Sequence, residues 1–308
     1  MQNKFVPRTD LALEMHEIHA KKNVIDGVEK IDGTDNGFLT TTVIVSESGV
    51  EKVGKPAGMY ITADIGKIWQ TDKKKFDSAA KCICTLLKRI VPEKSKEKNG
   101  CILVVGLGNE GITPDSVGPK TIKKTVVTRH IKTLNRELYD SAHFGCLAAI
   151  APGVLGQTGV ESAEIISAVA KKINPEFIIV IDALASRRLE RLATTVQLAS
   201  TGISPGSGVC NSRSEISLKT TGYPVISMGF PTVVDAATLA ADLLEKAECD
   251  ENIRDKISEK LMGGEGKNMF VAPKESDLIT NELSRLAAEA INLLVHSELL
   301  LEDIEEFK

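Results

Sequence analysis

Apolar residues along this chain follow two regimes that meet near residue 100. In the first, "GFLTTTVIVS" (37–46) and "GMYITADI" (58–65) alternate β-branched with polar residues, which predicts strands of a small antiparallel layer. Residues 10–22 predict a helix with Leu11, Met15 and Ile18 on one face, and 72–91 a longer one with Phe76, Ala79, Ala80, Ile83, Leu86, Leu87 and Ile90 as its stripe. A solvated connector, "PEKSKEKNG" (92–100), separates the regimes. In the second, "CILVV" (101–105), "GCLAAIAP" (145–152), "FIIVIDAL" (177–184), "ATTVQLA" (193–199) and "PVISMGF" (224–230) are short, nearly continuous apolar runs. Amphipathic segments of helix length, such as 158–173 and 232–247, separate several of them. Strands covered on both faces read this way. The expected fold is α/β: a mostly parallel sheet with helices on both faces, a small N-terminal β appendage, and a last helix over 277–300. No internal repeat divides the chain, so one main domain is expected.

Composition narrows the class. A chain of 308 residues, 42% hydrophobic and 26% charged, can build a substantial globular core. A net charge of −4 gives no sign of a nucleic-acid surface. Neither a signal-peptide core nor an uninterrupted apolar span is visible, so a cytoplasmic protein without membrane contact is expected. The six cysteines (Cys82, Cys84, Cys101, Cys146, Cys210, Cys249) lack C-x-x-C spacing and read as free thiols. His16 and His19 stand at i, i+3 without a third ligand in view, so no metal is expected from these groups.

Two motifs compete for attention; the first lacks its supporting context and the second fails on chemistry. Gly106-Leu107-Gly108-Asn109-Glu110-Gly111 matches G-x-G-x-x-G after a strand. A dinucleotide site needs a helix opening at the last glycine and an acidic residue about 20 positions on. Here Pro114 and Pro119 interrupt the one, and "TVVTRH" (125–130) lacks the other. Gly202-Ile203-Ser204-Pro205-Gly206 matches the serine-hydrolase G-x-S-x-G, but Pro205 has no N–H for an oxyanion hole.

The carboxylates offer more. Asp182 ends "FIIVID" and Asp115 lies in the loop after "CILVV", both at carboxyl ends of expected strands. Functional groups of open α/β sheets gather there. If the two strands are near neighbours, the pair would share a proton, and one member could activate water while the other acts as acid. Alternatively, Asp115 caps a helix opening near Ser116 and Asp182 binds loop amides. Other loops at this edge are rich in small and hydroxyl residues: "APGVLGQTGVES" (151–162), "STGISPGSGVCN" (200–211) and "GFPTVVDA" (229–236). Gly108, Asn109, Gly153, Thr158, Gly206 and Thr232 are the candidate substrate contacts among them. Glycines would let backbone approach a peptide, although Thr158 and Thr232 could equally be ordinary helix caps.

These blocks, "GLGNEGITPDSVGP", "APGVLGQTGVES", "IDALASR", "STGISPGSGVCN" and "GFPTVVDA", closely resemble those of the germination proteases of spore-forming bacteria. The resemblance implies an atypical aspartic endopeptidase whose essential aspartates match Asp115 and Asp182. It implies a fold similar to the hydrogenase maturation proteases and no cofactor. It implies small acid-soluble DNA-protecting spore proteins as substrates, degraded at germination in the spore core. It further implies a homotetramer, made as a zymogen in the forespore and trimmed near its N-terminus. Family substrates are cut after an acidic residue in a Thr-Glu-apolar-Ala context, and Thr9-Asp10-Leu11-Ala12 nearly copies it. Self-cleavage between Asp10 and Leu11 is therefore expected, leaving residues 1–10 as propeptide and 11–308 as one α/β protease domain, with 37–66 its antiparallel layer.

An acidic residue ahead of the cut calls for a positive pocket, and Arg187 is favoured over Arg188 and Arg191. Glu110 stands where many relatives are expected to carry an aromatic residue, and the stretch between about 248 and 268 is shorter than in longer members. A metal-dependent maturation-type protease of the same fold and a non-hydrolytic dinucleotide-binding protein are the alternatives.

Overall fold

A computed structural model of the chain describes residues 7–20, 25–93, 100–206, 213–250, 252–253, 256–257, 260 and 269–296. Cys210, most of the connector at 92–100, the end of the 200–211 loop and much of the 248–268 stretch lie outside the described residues. The strands are β1 (Val28–Asp35), β2 (Phe38–Val45), β3 (Gly58–Asp64), β4 (Cys101–Gly106), β5 (Cys146–Ile150), β6 (Ile178–Ser186), β7 (Thr195–Ala199), β8 (Val225–Asp235) and β9 (Phe270–Val271). Helices are α1 (Ala12–His19), α2 (Val50–Val53), α3 (Lys73–Ile90), α4 (Val117–Lys124), α5 (Arg129–Leu134), α6 (Arg136–Ser141), α7 (Leu155–Thr158), α8 (Ser162–Ile173), α9 (Leu218–Thr221), α10 (Ala236–Lys246) and α11 (Ser276–Val295).

The nine strands among the described residues form one sheet in the order β1-β2-β3-β7-β8-β6-β4-β5, with β9 beside β8. The sheet is mixed. Only β8-β6-β4-β5 is parallel, and every other pairing is antiparallel. The expected N-terminal appendage is instead an extension of the main sheet, because β3 pairs with β7 along Tyr60–Asp64. The helix expected from 232 begins later: β8 runs through Pro231 to Asp235, and Asp235 then caps α10 through the Thr238 N–H.

Period-two alternation divides the buried positions between two faces. Ile179, Ile181, Leu198, Met228 and Phe230 pack with α3 and α11 in the larger core, whereas Ile178, Val180, Leu103 and Val105 pack against α8. Each fully buried leucine of α11, such as Leu283 and Leu286, contributes about 1.5–3 kcal/mol against exposure. Between these layers β6 is buried along nearly its whole length, and it carries Asp182.

Candidate functional site

β4 and β6 are hydrogen-bonded neighbours, so the condition for bringing the two aspartates together is met. Asp182 sits inside β6, whose pairing with β8 continues to Ser186 through an irregularity at Leu184/Ala185. Asp115 arrives from β4 by a turn and a 3-10 segment over Thr113–Asp115. Both line a cavity of about 560 Å³, together with Asp10, Gly108, Gly153, Gly206, Arg213 and Thr232.

Asp115 does not cap a helix. Its Oδ2 accepts from the Asn109 N–H at 2.7 Å, fixing it to the loop after β4. Asn109 therefore holds Asp115 through its N–H, while its own Oδ1 accepts from Gly111 N and Gln157 Nε2. At Gly108, φ is +111°, and an added Cβ would lie 2.0 Å from the Asp115 carbonyl oxygen and 2.9 Å from its Oδ1. Gly106 is equally constrained, with the Gly118 carbonyl 2.2 Å from where its Cβ would stand. The protein's own helix α4 and Asp115 thus fill the approaches that a pyrophosphate would require.

Asp182 is almost wholly buried, with 6% of its surface exposed, and its Oδ1 accepts from the Ala183 N–H at 2.9 Å. Burial, then the charges of Asp115 and Asp10, push its carboxyl well above the ordinary range, against Ala183 N–H and the Arg213 cation. Asp115 is raised by burial, with the Asn109 N–H and Arg213 opposing. Both carboxyls are thus raised, each with one backbone N–H and the Arg213 cation opposing, and the more deeply buried Asp182 is raised further.

Asp10 lies in the same cavity. Its N–H donates to the Ala185 carbonyl at 2.9 Å, and its Oδ2 accepts from the Ala185 N–H at 2.9 Å. Residues 9–11 thus run against the end of β6, three positions beyond Asp182. Leu11 is buried as the residue before α1. In α1 the buried side chains are Ala12, Leu13 and Glu14, so the expected apolar face of Leu11, Met15 and Ile18 is only partly realised.

Two further sequence candidates, Arg187 and Thr158, stand elsewhere. Arg187 does not line the cavity: its guanidinium is buried against Glu245, with Asp242 3.9 Å from Nε. β6 runs on to Ser186, so its exit delivers Arg187 to α10. Arg213 is the arginine that lines the crevice. Thr158 is exposed, and its hydroxyl donates to the Val154 and Val160 carbonyls. Thr232, in contrast, is a cavity residue at the β6–β8 irregularity, with its buried Oγ1 unbonded. Lys55 and Gln197, which no local motif marks, line a second cavity of about 260 Å³ beside Asp10. Among the described residues no group of three His, Cys, Asp or Glu side chains could hold a metal ion.

A mixed α/β sheet thus presents two carboxylates to one crevice, Asp182 from within β6 and Asp115 from the loop after its parallel neighbour β4. Residues 6–247 match the family model described as germination protease. Germination protease of Clostridium perfringens is 39% identical over 97% of this chain and 98% of its own length. That of Priestia megaterium is 31% identical, covering 96% and 95%. A solved [NiFe] hydrogenase maturation protease, HycI of Thermococcus kodakarensis, aligns over 67% of this chain and 98% of its own, with a TM-score of 0.35 and 15% identity. The chain belongs to the germination protease family, and it is a peptidase.

Proposed function

We propose that the protein is an endopeptidase that cuts after acidic residues with the Asp115–Asp182 pair and water, and that it first processes itself between Asp10 and Leu11. The reading is carried by one observation: an acidic residue followed by Leu11-Ala12 lies along β6 in the cavity that both aspartates line. Asp182, the more strongly raised of the two, is the general acid toward the leaving nitrogen; Asp115 is the base that takes a proton from water. Small acid-soluble spore proteins are the proposed substrates, by family membership. A zymogen made in the forespore and assembled as a homotetramer completes this reading, with residues 1–10 as propeptide and 11–308 as the protease domain.

The test is the full chain, allowed to process itself and then given a small acid-soluble spore protein, beside Asp115→Asn and Asp182→Asn, all with EDTA. Cutting after acidic residues by wild type alone, with both variants folded, is the expected result. Cutting by both variants would remove the aspartates from the mechanism. Loss of wild-type cutting in EDTA would make the pair metal ligands instead.

A further inference from the structure

We infer that Lys55 and Gln197 grip the carbonyl oxygen of the bond to be cut and stabilise the oxyanion formed there. The inference rests on the proposed cut between Asp10 and Leu11. Lys55 Nζ donates to the Asp10 carbonyl oxygen at 2.9 Å, and Gln197 Nε2 donates to the same oxygen at 3.3 Å. Gln197 also reaches across the bond, since its Oε1 accepts from the Ala12 N–H at 2.6 Å. One side-chain amide therefore spans the Asp10–Leu11 peptide, holding the oxygen before it and the N–H after it.

The division of labour follows from the two cavities. Asp10 and Leu184 are the residues common to both. Lys55 and Gln197 line the smaller one, and Asp115 and Asp182 line the larger. Gln197 is carried by β7 and Lys55 by the turn after α2, which the pairing of β3 with β7 brings to one side of Asp10. Asp10 itself is fixed on β6 by its N–H and carboxylate. Its N–H, carbonyl oxygen and Oδ2 are thus held before any chemistry begins, and donors fixed in advance need no reorganisation as charge develops.

In the step, the oxygen of water adds to the Asp10 carbonyl carbon while its proton passes to Asp115. The C=O pair moves onto oxygen, where the Lys55 ammonium and the Gln197 amide meet it. Collapse of the adduct restores the C=O and breaks the C–N bond, and Asp182 supplies the proton that leaves with the Leu11 nitrogen. Water is the only co-reactant. A cation on a developing oxyanion forms a charge-assisted hydrogen bond stronger than the one it made to the neutral carbonyl. That difference, not the ground-state bond, accelerates the step.

Self-cleavage of the full chain is first order, so its rate reports the chemical step without a binding constant. Lys55→Met and Gln197→Ala should each slow the appearance of the Leu11 terminus, by about 10²–10³-fold for a lost oxyanion donor, with Lys55→Arg recovering part. The grip is read separately in the uncut Asp182→Asn chain, labelled with carbonyl-¹³C aspartate and ¹⁵N leucine. Three Asp–Leu pairs, at Asp10, Asp242 and Asp277, then give the carbonyl correlations. Adding Lys55→Met should move the Asp10 signal and leave the other two unmoved, which also shows that the variant is folded. Processing rates within about threefold of wild type, or an unmoved Asp10 signal, would overturn the inference while leaving the protease reading intact. A wild-type chain that never cuts at this bond would overturn both.

Discussion

Glu14 is the deepest charge in the N-terminal segment, and removing that charge should loosen the segment measurably. It is fully buried. Its Oε2 accepts from the Thr9 hydroxyl and from the Arg187 N–H at 2.6 Å, and its Oε1 from the Arg188 N–H at 2.9 Å and Arg191 Nη1 at 3.2 Å. Both oxygens face only donors. Glu14→Gln keeps the shape but turns one oxygen into an NH₂ that confronts two of them. Removing one partner of a buried, charge-assisted network costs about 3–5 kcal/mol, because the remaining donors stay buried without an acceptor.

That cost should appear locally, as opening of α1 from the strand exit, more than in global unfolding. At 1.36 kcal/mol per decade, about 3–5 kcal/mol is roughly a 10²–10⁴-fold rise in opening. Native-state hydrogen exchange of the Arg187, Arg188 and α1 amides reads it directly. Glu17→Gln is the control: its partner Arg191 is one-fifth exposed and Glu17 about one-third, so it should cost about 1 kcal/mol or less. Exchange at Arg187 and Arg188 unchanged by Glu14→Gln would show that the network does not hold the segment in place.

Asp182→Asn should raise the melting temperature, and by more as the pH rises. The folded carboxyl titrates well above 3.8, so from that pH upward the unfolded chain gains charge that the fold resists, and stability falls until the folded value is passed; an asparagine escapes this. A variant less stable than wild type across the whole range would contradict the assignment. Gly108→Ala should cost about 1–3 kcal/mol and abolish processing, because its Cβ would displace Asp115, whereas Gly111→Ala meets only Asn109 Oδ1 at 3.3 Å and should be tolerated. Arg187→Ala should leave the kinetics on acidic-site peptides unchanged while lowering stability by about 3 kcal/mol, since Asp242 and Glu245 lose a buried partner. Arg213→Ala should move the acidic limb of the pH–rate profile to higher pH, because that cation favours the ionised form of Asp115. An unmoved limb would place Arg213 outside the site's field.

The sequence pattern carried the buried strands well, because continuous apolar runs are local signals; it placed Asp182 at a strand end, whereas β6 continues to Ser186. Sheet order is not local, and only the β4–β6 pairing makes Asp115 and Asp182 a pair. One missed element was legible: Asp35↔Phe38 flank Asn36-Gly37, both at positive φ, and that dipeptide is the strongest short hairpin signal. It announces β1, whose own residues are mostly exposed and lack alternation. β8 was cut short in the pattern at Phe230, ahead of Pro231, yet its ladder to β7 stops at Gly229, so the proline interrupts none of those bonds. Lys55 and Gln197 could not be found at all. They lie 142 positions apart and acquire meaning only by meeting one carbonyl oxygen.

Cutting the chain would not by itself empty the crevice. On the proposed reading, a substrate competes with a segment tethered beside its site, where effective concentrations reach the millimolar range. Cleavage removes the tether, but the released piece keeps its own anchor. Arg8 Nη1 pairs with buried Asp235 at 3.0 Å, and the Arg8 N–H donates to Thr238 Oγ1 at 3.0 Å. Asp235 is also the residue that caps α10, so its carboxylate is held in position for Arg8 before and after the cut. Appearance of the Leu11 terminus should therefore precede activity on an added substrate by a lag set by dissociation of the piece. Arg8→Ala removes the ion pair at its less buried end and should shorten that lag about tenfold, if the partly buried pair contributes about 1.4 kcal/mol. Stopped-time sampling by mass spectrometry and a fluorogenic acidic-site peptide follow the two events in one reaction. An identical lag in the variant would mean that the grip on Asp10, and not the arginine anchor, governs release.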